Sequence, residues 1–181
     1  MPVVAPGGDR HRIARGAGAL PLAVAGLGLA LYLVSMAPTV LWGDDAELQR
    51  IVVTGEARTV GQSSAASHLL WLALTRPFVQ ATGWVPLDAA GRTTLVSALT
   101  GALALVFVSL AGTELARPLG RRAALAGLLA AVALGVSHTF WLLAVRPAVY
   151  TLSVLLVALA TWATLRWRRT FQPAWLAAVS T

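Results

Sequence analysis

Residues able to do chemistry are few in this 181-residue chain, and they gather in two places. The first is Trp42-Gly43-Asp44-Asp45-Ala46-Glu47-Leu48-Gln49-Arg50. Two readings of it stand side by side. As a helix start, Asp44 caps, Glu47 reaches back from three positions on, and Leu48, Ile51 and Val52 form an apolar stripe. As a site, the same carboxylates sit at a membrane surface and one is a general base. The readings are compatible, because a capping carboxylate is rigidly placed. Asp44, Asp45 and Glu47 also offer hard oxygen ligands to a divalent metal. No second ligand cluster accompanies them, so no cofactor is expected. His68, further along, is either a site residue or an interfacial histidine.

The second place is Ser137-His138-Thr139-Phe140-Trp141, followed by Arg146-Pro147 and Tyr150. Counted from Ala123 at 1.5 Å per residue, His138 lies roughly 22 Å along a helix. That is inside the ~30 Å hydrocarbon slab, toward one face. A histidine there either bonds a backbone carbonyl or faces a wet cavity. Arg146 either snorkels to headgroups or grips the phosphate of a lipid-linked substrate with its guanidinium fork. Pro147 suits a helix start, with Tyr150 in the first turn. Cysteine is absent. That excludes a disulfide framework, a zinc-thiolate site and a cysteine nucleophile.

The elements that hold these residues follow from composition. The chain is 57% hydrophobic and 12% charged, and an ordinary soluble domain carries about 25% charge. Such a chain cannot coat a soluble globule, and it is too apolar to be disordered. It reads as an all-α polytopic membrane protein. Uncharged runs long enough to cross a bilayer lie at about 17–36, 93–113, 123–145 and 148–165, and a fifth begins near Trp175. The first is an anchor more than a signal peptide, since Pro38 would follow the only small-residue cut. Residues 1–16, rich in Arg, Gly and Pro, read as a cytoplasmic tail. Small residues at spacing four, Gly127-Ala131-Gly135 and Gly26-Ala30, suit close helix packing.

Residues 37–92 form one long loop, which holds five of the seven acids. Loops this long are often functional. Within it, His68 to Val79 is apolar but broken by Arg76-Pro77, as expected of an interfacial or re-entrant helix. Trp71 and Trp84 suit the interface level. With the N-terminus inside, the inner segments carry nine arginines against Asp9 and Glu114, while five arginines match five acids outside. All the excess charge then lies on one side, as the positive-inside rule requires. The inner arginines anchor topology and meet anionic lipid, so no nucleic-acid partner is expected.

Three blocks of sequence resemble a known family. They are Ala37-Pro38-Thr39-Val40-Leu41-Trp42-Gly43-Asp44-Asp45-Ala46-Glu47, then Arg92 with Ser97-Ala98-Leu99, then Ser137-His138-Thr139-Phe140-Trp141 with Ala144-Val145 and Val149-Tyr150-Thr151-Leu152. In this order they resemble the membrane protein O-mannosyltransferases of the GT-C glycosyltransferase type. The resemblance implies a GT-C-like transmembrane bundle whose active site faces outward. It implies a polyprenyl-phosphate sugar donor, typically mannose, and a protein hydroxyl as acceptor. Asp44 matches the loop aspartate of such enzymes, the usual general base, and Glu47 the acid three residues later. Arg146, His138, His68 and Tyr150 are the expected substrate-binding residues. Two departures stand out: Ser67-His68-Leu69-Leu70-Trp71 replaces a His-Pro-Pro-Gly block, and Ala148 replaces a glutamate.

Two rival classes remain. A small transporter subunit should place polar residues near the bilayer midplane, on broken helices. Here the spans are nearly free of charge and the acids gather in the loop, which favours an enzyme. A non-catalytic membrane assembly protein is the other class. The unfinished apolar run near Trp175 leads us to expect an N-terminal fragment of a longer enzyme, inactive alone.

Overall fold

The computed structural model describes residues 8–37, 39–56 and 68–172, and only the backbone of residues 8–18. The start of the expected tail and the apolar run from about 175 lie outside the described residues. Seven α-helices follow in order: α1 (Gly8–Ser35), α2 (Asp44–Thr54), α3 (Leu69–Ala81), α4 (Ala89–Leu115), α5 (Ala123–Gly135), α6 (His138–Ala144) and α7 (Tyr150–Thr170). A short 3-10 helix, Arg117–Arg122, joins α4 to α5. No strand occurs among the described residues. Ala89–Leu115, Arg117–Gly135 and Tyr150–Thr170 are long and apolar enough to cross a membrane, and Ala19–Ser35 is a shorter apolar stretch. The chain is an all-α membrane protein.

Helix α4 is the hub, touching every other helix. It starts where it does because Asp88 caps it, the carboxylate accepting the Gly91 N–H at 2.6 Å. Its direction relative to α7 follows from two ends. Ser97 and Thr100, near its start, bond Ala148 and Thr151. Glu114, at its end, takes Arg166 at 2.9 Å. The two helices therefore run the same way. Helices α1 and α5 run opposite to them, since Gly112 faces Gly127 and Leu105 faces both Gly28 and Gly135.

Small residues make that packing possible. Ala123, Gly127, Ala131 and Gly135 form the buried face of α5. A Cβ on Gly127 would lie 2.2 Å from the Ser109 carbonyl oxygen and 2.2 Å from Thr113 Oγ1. The spacing-four motif on α5 is thus an interface. The one on α1 is not: Gly26 and Ala30 are exposed, and Gly28 makes the close approach to Leu105 instead. Tyr32 fills the centre, fully buried, its hydroxyl donating to the Gly135 carbonyl at 3.1 Å.

Several local expectations change. Helix α1 already begins at Gly8, inside the expected tail. The run 123–145 is two helices, because Ser137 takes an extended conformation (ψ 134°) and its hydroxyl donates to the Leu134 carbonyl at 2.8 Å. The chain turns there and α6 starts afresh at His138. Pro147 precedes α7 instead of opening it, since the helix begins at Tyr150. Trp71 is only 2% exposed and belongs to a cluster with Leu48, Ile51, Val52, Val79, Val149 and Leu152, so it is a core residue and not an interfacial one. Trp84, 82% exposed, is free to lie at an interface. The expected stripe of α2, Leu48-Ile51-Val52, is the face that packs into this cluster.

Candidate functional site

The long loop folds as α2 and α3 onto one end of the bundle, where α1 and α6 end and α4 and α7 begin. Three polar ties hold the connecting backbone there. The Ala37 N–H donates to the Val145 carbonyl at 3.0 Å. The Trp141 indole donates to Ser35 Oγ at 3.0 Å. Ser97 accepts the Ala148 N–H at 2.9 Å and donates to the Ala148 carbonyl at 3.1 Å, which pins the segment before α7 onto α4. Gln49 supplies the fourth restraint. It is 4% exposed, accepts the Leu41 N–H at 3.1 Å and donates to the Ala90 carbonyl at 3.4 Å. A buried amide with its partners supplied in this way fixes one backbone course.

Between α2 and the 146–150 segment lies an open cavity of about 360 Å3. Its walls include Trp42, Asp44, Asp45, His68, Arg146 and Tyr150. Four of the six expected site residues therefore share one space: Asp44, His68, Arg146 and Tyr150. His68 stands at the position before α3, and Tyr150 opens α7.

Asp44 is not the cap of α2. Gly43 takes that position with φ 66° and ψ −137°, and no side chain caps the helix. The positive φ is one that glycine adopts readily. It turns the chain so that Asp44 becomes the first helical residue. Among the described residues no side chain or backbone group bonds the exposed Asp44 carboxylate. Acids at Asp44, Asp45 and Glu47 all complement the positive end of the helix.

Asp45, read in the sequence only as one of three possible metal ligands, has a pairing role that sequence reasoning missed. Its Oδ2 accepts from Arg146 Nε at 2.6 Å and also from Arg146 Nη2. Asp45 is 14% exposed at the side chain and Arg146 42%. The pair ties α2 to the start of α7 across 101 positions. It leaves the Nη1 donors and one Nη2 donor of the guanidinium for another anion. The available signal was the acid doublet Asp44-Asp45 facing an arginine with no local acid of its own.

Glu47 and His138 lie elsewhere. Glu47 takes Arg50 in a fork, Oε2 to Nε and Oε1 to Nη2, both at 2.8 Å. Arg50 continues to the Glu56 carbonyl at 2.8 Å. The Glu47 hydrogen bond pushes the Arg50 guanidinium further up from its ordinary value. Glu47 thus braces α2 and does not line the cavity. His138 is exposed, its ring centroid 6.1 Å from that of Trp141, and it does not line the cavity either. Among the described residues no three His, Asp or Glu side chains gather as metal donors.

Residues 70–179 match the family described as the protein O-mannosyl-transferase TMEM260 N-terminal domain. The chain belongs to this family. The match spans more than half of the sequence and takes in α4 to α7, with His138, Arg146 and Tyr150. Asp44, Asp45, Glu47 and His68 precede it. No curated protein matches the chain, and neither does any solved structure. Membership of this O-mannosyltransferase family agrees with the resemblance carried by Arg92 with Ser97-Ala98-Leu99 and by residues 137–152, which lie within the match; the loop block 37–47 lies before it.

Proposed function

We propose that the chain is the N-terminal part of a GT-C type glycosyltransferase. In this reading it moves a sugar, mannose, from a polyprenyl-phosphate donor to a protein hydroxyl. The observation that carries the reading is the shared cavity. A carboxylate without a hydrogen-bond partner among the described residues, Asp44, and a guanidinium that keeps donors beyond its bonds to Asp45, Arg146, line one space at the end of a membrane bundle. Transfer needs a base for the acceptor hydroxyl and a cation for the leaving phosphate. Asp44 takes the hydroxyl proton as the acceptor oxygen bonds to the anomeric carbon. The bond from that carbon to the phosphate oxygen breaks, and the phosphate leaves with its charge toward Arg146. His68 and Tyr150 border the same space and orient the sugar. Glu47 supports through α2, by holding Arg50.

The charge asymmetry supports an orientation. Arg117, Arg121, Arg122, Arg166, Arg168 and Arg169 belong to the bundle end opposite the cavity. The positive-inside rule puts that end in the cytoplasm and the cavity outside. A polyprenyl-phosphate donor is reached there from the bilayer. The test is transfer by the intact protein in lipid vesicles. Labelled mannose should pass from a polyprenyl-phosphate mannose to a serine- or threonine-rich acceptor protein. Absence of transfer from that donor, with the protein folded, would refute the reading.

A further inference from the structure

Helix α2 borders two cavities. One is the site cavity, lined by Asp44 and Asp45. The other, of about 390 Å3, lies between α2 and the start of α4. Its walls include Val40, Ala46, Val53 and Ala89, with Arg50 and Asp88 among them. Ala46, Arg50 and Val53 recur at helical spacing, on a face of α2 distinct from the buried stripe. Val40 and Val53 are 61% and 56% exposed, and Trp42, in the wall of the site cavity, is 92% exposed. Helix α2 is not among the helices able to cross a membrane. Apolar side chains gathered round an open space outside the spans mark an interaction surface. The chain itself joins the two cavities. Val40 lines the second and Trp42 the first, and Gln49 holds the Leu41 N–H between them at 3.1 Å.

The walls favour one kind of occupant. A lipid chain would strip water from Arg50 and Asp88 and offer nothing in return. An extended polypeptide brings an N–H and a C=O with nearly every residue, besides its apolar side chains. We infer that this groove docks the acceptor polypeptide in extended form and leads its hydroxyl past Trp42 to Asp44. The inference rests on the functional reading above, and it adds where the acceptor is recognised. Asp44 follows Val40 by four positions, which is at most ~14 Å of extended chain. An extended acceptor therefore meets the groove within about four residues of the modified serine or threonine. The acceptor residues held there are apolar, matching Val40, Ala46 and Val53.

Two acceptors separate the groove from the site. One is a blocked serine tripeptide. The other is an apolar-rich peptide extending about six residues to each side of its serine, beyond the reach to the groove. Mannose transfer from a polyprenyl-phosphate mannose is measured with the intact protein in nanodiscs. The long peptide should show the lower KM. Val40→Gln combined with Val53→Gln, both at exposed positions, should raise the KM of the long peptide at least about tenfold. It should keep kcat and leave the tripeptide unchanged. Should that variant fail to fold, a photoreactive residue at Val53 should crosslink the long peptide, and one at Leu125, exposed on α5, should not. Equal KM for the two peptides, an unchanged KM in the folded double variant, or capture of lipid and not peptide at Val53 overturns the groove and leaves the functional reading standing. Absence of transfer to either peptide by the unmodified protein overturns the functional reading, and the acceptor role of the groove with it.

Discussion

Replacing Asp44 with Asn separates catalysis from stability, because the structure gives the carboxylate almost nothing structural to do. It is exposed, it is not the cap of α2, and among the described residues it bonds no partner. Asn keeps the size and removes the base. The stability cost is then the loss of one negative charge at a helix start, about 0.3–1 kcal/mol. In a chain of this size ~1 kcal/mol moves the melting point by roughly 2–4 °C. Loss of a general base costs ~10²–10⁴ in rate. Mannose transfer and thermal melting are measured on the same preparation of the intact protein. The expected result is a rate at least about a hundredfold lower with the melting point within a few degrees. A normal rate would remove Asp44 from the chemistry. A large fall in melting point would mean that the carboxylate has a structural partner.

Asp45 and Arg146 should couple: in a double-mutant cycle with Asp45→Ala and Arg146→Ala, melting should give about 1 kcal/mol, the upper range for part-exposed pairs, and additive effects would deny the pair. Gly127→Ala should destabilise by ~1–3 kcal/mol through overpacking against Ser109 and Thr113. Gly26→Ala, with nothing within 4 Å, should be neutral or raise stability by about 0.4–1 kcal/mol, and equal costs at both sites would refute the α4–α5 packing. With no native cysteine, Trp84→Cys should react with an impermeant maleimide on intact cells and Leu119→Cys only after permeabilisation; the reverse pattern would invert the topology.

Much of the architecture was readable in advance because it depends on local composition. The uncharged runs became α1, α4, α5 and α7, and the stripe Leu48-Ile51-Val52 became the buried face of α2. The break at Val136-Ser137 was visible as Ser137-His138-Thr139. Hydropathy alone carried the helix through it, whereas the serine hydroxyl bonding back to Leu134 ends it. Trp71 misled because an aromatic near a span end suits an interface as well as a core. Burial there depends on α2 and α7, which are distant in sequence. At the site, chemical type singled out Asp44, His68, Arg146 and Tyr150, which line one cavity, but pairing was not legible. Asp45 and Arg146 meet only because Ser97, Ala37 and Gln49 fix three backbone segments around them. Local spacing suggested a capping box from Asp44 to Glu47. Gly43 and Arg50 drew both residues into other roles.

The central claim is that this chain's cavity carries out protein O-mannosylation, and mass spectrometry of hydroxyl-linked mannose in living cells tests it most directly. Cells lacking the gene are complemented either with the unmodified gene or with Asp44→Asn at matched protein levels. The account predicts mannosylated serine or threonine peptides that vanish on deletion, return with the unmodified gene and stay absent with Asp44→Asn. Unchanged mannosylation on deletion, or full restoration by Asp44→Asn, would contradict it.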